Sequence, residues 1–125
     1  MNPNEFAQKL IEVQELMKDE NYEEAIIILE KLKLIDQKGD FDYNLTHKLY
    51  QLISNSHSLY NQQVIVNEIN SMMIKKKVIT INELNQLISE RTHLSLDDKE
   101  FKKEVELLIL RGLLTGYIEG DLLIF

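Results

Sequence analysis

The chain has 125 residues, of which 44% are hydrophobic and 28% are charged, the balance of an ordinary soluble protein with a buried core. It contains no cysteine, which excludes disulfides, zinc fingers and thiol catalysis, and no apolar run of the roughly 18 residues that cross a membrane. The net charge of −7 argues against nucleic acid as the main partner, because a phosphate backbone attracts positive charge.

The first helix is predicted from its cap and its apolar spacing. Asn2 can cap the helix, Pro3 suits its first position, and Glu5 can complete a capping box. An apolar stripe follows at helical spacing and consists of Phe6, Leu10, Val13 and Met17. We expect this helix to end near Lys18 or Asp19.

The second helix is predicted over residues 22–35. Tyr22 at its start and Ala25 one turn later resemble the turn of a tetratricopeptide-type helical hairpin, over that one turn only. Apolar residues occur nearly all round this helix, which is typical of a helix buried on more than one side. They are Ile26, Ile27, Ile28, Leu29, Leu32, Leu34 and Ile35.

Two further helices are predicted, over residues 42–54 and 61–75. The polar residues 55–58 favour a break between them, because Ser and Asn side chains compete for backbone hydrogen bonds. The later helix has a wide apolar face formed by Ile65, Val66, Ile69, Met72, Met73 and Ile74. No linker rich in Gly, Pro or Ser separates it from the last third of the chain, so we expect one compact unit.

The last third of the chain begins with a short strand and a helix. Residues 78–80 are a short run of strand-forming Val, Ile and Thr, and Thr80 with Glu83 forms a capping box. Ser95 with Asp98 repeats that pattern for the next helix. The core face of that helix is predicted to contain Phe101, Val105, Leu108 and Ile109.

The chain closes with a predicted hairpin. Gly112 stops the preceding helix, and residues 114–118 and 122–125 alternate as strands around a tight turn at residues 119–121. The stretch over residues 107–119 reads Leu-Leu-Ile-Leu-Arg-Gly-Leu-Leu-Thr-Gly-Tyr-Ile-Glu, and the chain ends Leu-Leu-Ile-Phe.

This pattern resembles the winged helix that closes PCI domains, as in the proteasome lid, and the related winged helix of DDRGK-type ufmylation adaptors. The resemblance implies a mainly α fold with a small β wing. Residues 1–60 would form a helical part with a hairpin and a third helix, residues 61–77 a connecting helix, and residues 78–125 the winged helix. In PCI proteins the helical hairpins and the winged helix together assemble multi-subunit scaffolds.

The helix over residues 97–110 is where a winged helix would contact DNA, and Lys99, Lys102 and Lys103 are its candidate phosphate contacts. Glu106 lies among these lysines, and acids occupy both the leading end of the helix and the hairpin tip. Leucines off the core stripe favour a protein partner instead. The candidate interaction surface consists of Leu107, Leu110, Tyr117 and Glu119.

Catalytic, cofactor and metal sites are not predicted. His47, His57 and His93 lie in three separate segments without ligand spacing, and Ser54 near His57 has no orienting acid. We therefore predict a non-enzymatic, cytoplasmic adaptor or scaffold subunit that binds proteins. The alternatives are a small winged-helix DNA-binding transcription regulator and a tandem winged-helix subunit of the membrane-trafficking type.

Overall fold

The computed structural model of the protein describes residues 1–72 and 75–125. Within these residues the chain forms five helices and a small three-stranded antiparallel sheet, so the mainly helical prediction with a small β part is confirmed. The elements in chain order are α1 Pro3–Lys18, α2 Tyr22–Lys38, α3 Tyr43–Met72, β1 Val78–Thr80, α4 Ile81–Arg91, α5 Asp98–Leu110, β2 Tyr117–Glu119 and β3 Leu122–Ile124. The described residues divide into two compact units, Met1–Tyr60 and Asn61–Phe125.

The first unit is built on the hairpin of α1 and α2. The Asn2 side chain accepts a hydrogen bond from the Glu5 backbone N–H at 2.8 Å, which confirms the predicted cap. Glu20 takes a positive φ of 63° in the turn between the helices. The buried side chains of the unit form one core, made of Phe6, Leu10, Val13, Ala25, Leu29, Leu32, Leu49 and Leu52.

The prediction that α2 is buried on more than one side is wrong for two of its residues. Ile27 and Leu34 lie exposed, seven residues apart and therefore on one face of the helix. Ala25, Leu29 and Leu32 are buried in the core, and the half-buried Ile28 and Ile35 pack against it. The helix also runs three residues beyond the predicted end, to Lys38.

The predicted break at residues 55–58 is also wrong, because α3 is one continuous helix from Tyr43 to Met72. Ser56 is fully buried, and its hydroxyl donates to the Ile53 carbonyl at 3.1 Å. A buried Ser whose hydroxyl is satisfied one turn back does not compete with the helix, so the polar stretch continues it. The predicted continuation through Met73 and Ile74 lies outside the described residues.

The second unit surrounds the sheet, whose strand order is β1-β3-β2. The register pairs Ile79 and Ile118 with Leu123 of the central strand, and Leu123 and Ile79 are buried. Residues from α3, α4 and α5 pack with these strands into a second core. Its buried members are Ile65, Ile69, Ile79, Ile81, Leu84, Ile88, Phe101, Val105, Leu108, Leu114 and Leu123.

Candidate functional site

Helix α5 carries the site, and its cap determines where it begins. The Asp97 side chain accepts from the Glu100 backbone N–H at 2.7 Å, so the predicted cap at Ser95 is wrong by two residues. An aspartate at this position satisfies an otherwise free N–H and also complements the positive end of the helix dipole. Phe101, Val105 and Leu108 are fully buried on one face. The opposite face of the helix is therefore turned outward.

Asp98 joins the start of α5 to α4. Its two carboxylate oxygens accept from the side-chain amides of Asn85 at 3.0 Å and Asn82 at 2.9 Å. Those two hydrogen bonds, with Asn85 the stronger influence, lower the pKa of Asp98 below its ordinary value. The mostly buried Asn85 also donates to the Leu96 carbonyl at 2.9 Å, so the loop before α5 is held to α4 as well.

Polar contacts with α3 also hold the middle of α5 and the residue that follows it. Gln62 of α3 and Glu104 of α5 are both buried, and the Gln62 amide donates to the Glu104 carboxylate at 3.4 Å. Arg111, just after α5, donates to the side-chain oxygen of Gln62. Both ends of the helix thus have specific polar anchors, and its outward face is held in a defined position.

The three lysines proposed for DNA contacts do not form an isolated basic patch. Lys99 and Lys102 line an open groove of about 600 Å³ together with Asp98 and Asp121, so its charged lining is balanced. The groove also contains Thr80, Ile81 and Asn82. Lys103 is exposed and lies outside this lining.

The residues proposed for protein binding are only partly brought together. Leu110 is 82% exposed and Tyr117 is 56% exposed, and both line a second open groove of about 400 Å³ between α5 and β2. Leu107 is half-buried and Glu119 is exposed, but neither lines this groove. Its other lining residues are Lys102, Glu106, Ile109, Ile118 and Gly120.

The two apolar groove residues Ile109 and Ile118 are not among the predicted site residues. Ile109 is predicted on the core face of α5, and it does pack there while its remaining surface lines the groove. Ile118 alternates with Tyr117 along β2, and it too lies half-buried against the core. The alternation in the strand is a signal for Ile118, because neighbours in a strand point to opposite faces.

The histidines contribute no site among the described residues. His57 lies 3.4 Å from Glu30, and His47 stacks on Tyr43 with ring centroids 5.9 Å apart. Across residues 1–72 and 75–125 no group of three His, Asp or Glu side chains is arranged to hold a metal. Lys76 forms an ion pair with Glu83 at 2.8 Å. None of the described helices combines the length and apolar character needed to cross a membrane.

Comparisons with known proteins identify no relative, because no protein-family model, no curated protein and no solved structure matches the chain. The grooves on α5 therefore have to be interpreted from their own chemistry.

Proposed function

We propose that this protein is a non-enzymatic adaptor or scaffold subunit that binds other proteins through the groove between α5 and β2. The observation that carries the proposal is that Leu110 and Tyr117, both largely exposed, line the same shallow groove. Single exposed apolar residues are common on protein surfaces. An aliphatic and an aromatic side chain from two elements, joined by half-buried isoleucines, are typical of a protein-binding surface.

The order of elements supports a winged helix within this proposal. A strand, two helices and a terminal hairpin succeed one another from β1 to β3, which is the order of that fold. Three helices precede them, as helical hairpins precede the winged helix in PCI proteins. A chain without cysteine also suits the reducing cytoplasm, where such scaffolds assemble.

The charges of α5 favour this function over DNA binding. Asp97 and Asp98 occupy the leading end of the helix, and Glu119 and Asp121 lie at the hairpin. A phosphate backbone approaching Lys99 or Lys102 would meet these carboxylates as well, and repulsion would offset the attraction. We keep DNA binding as the alternative, and a gel-shift titration at low salt tests it directly.

The adaptor proposal is tested by isolating the tagged protein with its partners from a native extract and repeating this with Leu110→Asp. Leu34→Asp is the matched control, because Leu34 is 60% exposed on α2 and lies outside the groove. We expect the Leu110 variant to lose its partners and the Leu34 variant to keep them. A wild-type protein that elutes alone and monomeric at every salt concentration would contradict the proposal.

A further inference from the structure

The groove between α5 and β2 has the dimensions of a short extended peptide. Lys102 and Leu110 mark its two ends on α5, about 12 Å apart at the rise of a helix. On the strand side it extends from Tyr117 to Gly120, about 10 Å at the rise of a strand. Lys102 also borders the neighbouring groove beside Asp121, which places the Lys102 end next to the hairpin turn. Three or four extended residues would fill this length.

The strand wall of the groove offers backbone hydrogen-bonding groups, and the ladder of the sheet shows which residue supplies them. Phe125 N–H donates to the Lys77 carbonyl at 2.9 Å and Ile81 N–H donates to the Asp121 carbonyl at 2.8 Å. In an antiparallel ladder the hydrogen-bonded pairs recur every second residue, so Leu123 directs its own N–H and C=O toward β1.

The same alternation determines which backbone N–H and C=O groups of β2 point away from the sheet. The neighbours of Leu123 bond to β2 through Tyr117 and Glu119, and Ile118 therefore directs its N–H and C=O away from β3. Because β2 is an edge strand, these groups face the open side of the sheet. The Ile118 side chain packs toward the core, so a residue paired with Ile118 would point its side chain toward α5 as well.

The end of the groove at Lys102 determines the charge of the occupant. Lys102 is half-buried, and within the described part of the chain it has no ion-pair partner at 4 Å or less. Glu106 lies one turn further along, and the groove then becomes apolar through Ile109 and Leu110. Among the described residues, Lys102 and Glu106 are the charged groups that line this groove, whereas Asp98 and Asp121 line the neighbouring one. A single carboxylate held at Lys102 stays within this groove, while a phosphate backbone would extend onto Asp98 and Asp121 as well. An apolar side chain further along complements Ile109 and Leu110.

We propose that the groove binds an extended segment of a partner protein with the pattern acidic–any–apolar, added to β2 as an antiparallel fourth strand. The apolar residue forms the hydrogen-bonded pair with Ile118 and packs on Ile109. The acidic residue, two positions earlier, reaches Lys102 beside the turn. This assignment rests on the proposed adaptor function and names the chemistry of its partner.

The probe is the synthetic peptide Gly-Ser-Glu-Thr-Leu-Thr-Val-Ser-Gly, titrated into the isotope-labelled full chain and followed by amide chemical shifts. We expect saturable shifts at Ile118, Tyr117 and Leu110. The dissociation constant should be about 0.1–1 mM for so short a segment. The same peptide methylated on the Leu nitrogen has no donor for the Ile118 carbonyl and should bind at least about tenfold more weakly.

A charge exchange tests the contact with Lys102. Lys102→Glu should weaken the peptide about fivefold or more, and replacing the peptide Glu by Lys should restore most of that loss. Lys103→Glu is the matched control on the same helix, since Lys103 is exposed and does not line the groove. It should leave binding within about twofold of the wild type.

The proposal is overturned by the absence of saturation up to about 5 mM peptide, by equal binding of the methylated peptide, or by equal effects of the two lysine variants. Shifts at Ile118 that grow with protein concentration before any peptide is added would assign the groove to a second copy and also overturn it. If the peptide fails while Leu110→Asp still removes partners, only the occupant is wrong; if both fail, the adaptor function falls as well.

Discussion

The orientation of α5 can be tested by replacing Leu108 and Leu110 with alanine, one at a time. Leu108 is fully buried in the core of the second unit, whereas Leu110 is 82% exposed. Truncating a buried leucine to alanine removes about 2–5 kcal/mol from the free energy of unfolding, and we expect about 3 kcal/mol for Leu108→Ala.

Leu110→Ala should behave very differently. Only about a fifth of the Leu110 side chain is removed from water, so truncation forfeits under about 0.5 kcal/mol of the roughly 1.5–3 kcal/mol that full burial provides. Leucine and alanine both favour helices, so the change in helix propensity is small. The two variants should therefore differ by about 2.5 kcal/mol in the free energy of unfolding.

Urea unfolding followed by circular dichroism measures this difference. With a slope of about 2 kcal/mol per molar urea, Leu108→Ala should lower the midpoint by about 1.5 M and Leu110→Ala by less than about 0.3 M. Amide hydrogen exchange at Phe101 and Val105 should show that the loss lies in the second unit. Equal destabilisation by the two variants would refute the orientation of α5 and with it the groove.

Two further predictions concern the anchors of α5 and the hairpin. Because hydrogen bonds from Asn85 and Asn82 hold the folded pKa of Asp98 below its ordinary value, this contact stabilises the fold above the ordinary pKa, and the stabilisation is lost as pH falls through the folded pKa. Asn85→Ala should raise the pKa of Asp98, as a carboxyl NMR titration would show, and an unchanged pKa would contradict the contact. Gly116→Ala should cost about 3 kcal/mol, because a Cβ there would lie 2.5 Å from the Ile124 carbonyl oxygen at a φ of +123°. Gly120→Ala, at a φ of +61° in open space, should cost about 1 kcal/mol in the same urea assay, and an equal cost at both sites would refute the close approach at Gly116.

Local signals in the sequence were sufficient for most of the elements. The Asn2 and Thr80 caps, the β-branched strand at residues 78–80 and the Gly112 stop depend only on residues within a turn of one another, and each is found in the structure. The predicted cap of α5 lies two residues before the observed one, because Ser95 and Asp97 are both residue types that cap helices. Nothing within that segment decides between them.

The errors have a common physical origin in burial. Residues 55–58 would end an exposed helix, but burial of Ser56 leaves its hydroxyl no competing partner except the helix itself. The exposed Ile27 and Leu34 of α2 are predicted to be covered, but the core contacts of this helix come from its other face. Which apolar residues contact another element depends on the tertiary packing. The periodicity of a single segment does not predict that packing.

The same distinction decides which exposed apolar surface has a function. Ile27 and Leu34 are exposed on one face of α2, where the helix offers side chains but no free backbone groups, because its N–H and C=O groups bond to one another. Leu110 is also an exposed leucine on a helix, but it borders a shallow groove with an edge strand on one side and the half-buried Lys102 at one end. Backbone groups along an edge strand and a charge at one end discriminate one peptide from another. If Leu34→Asp rather than Leu110→Asp abolished partner binding, this reasoning would be wrong at its first step, because affinity would then follow exposure alone.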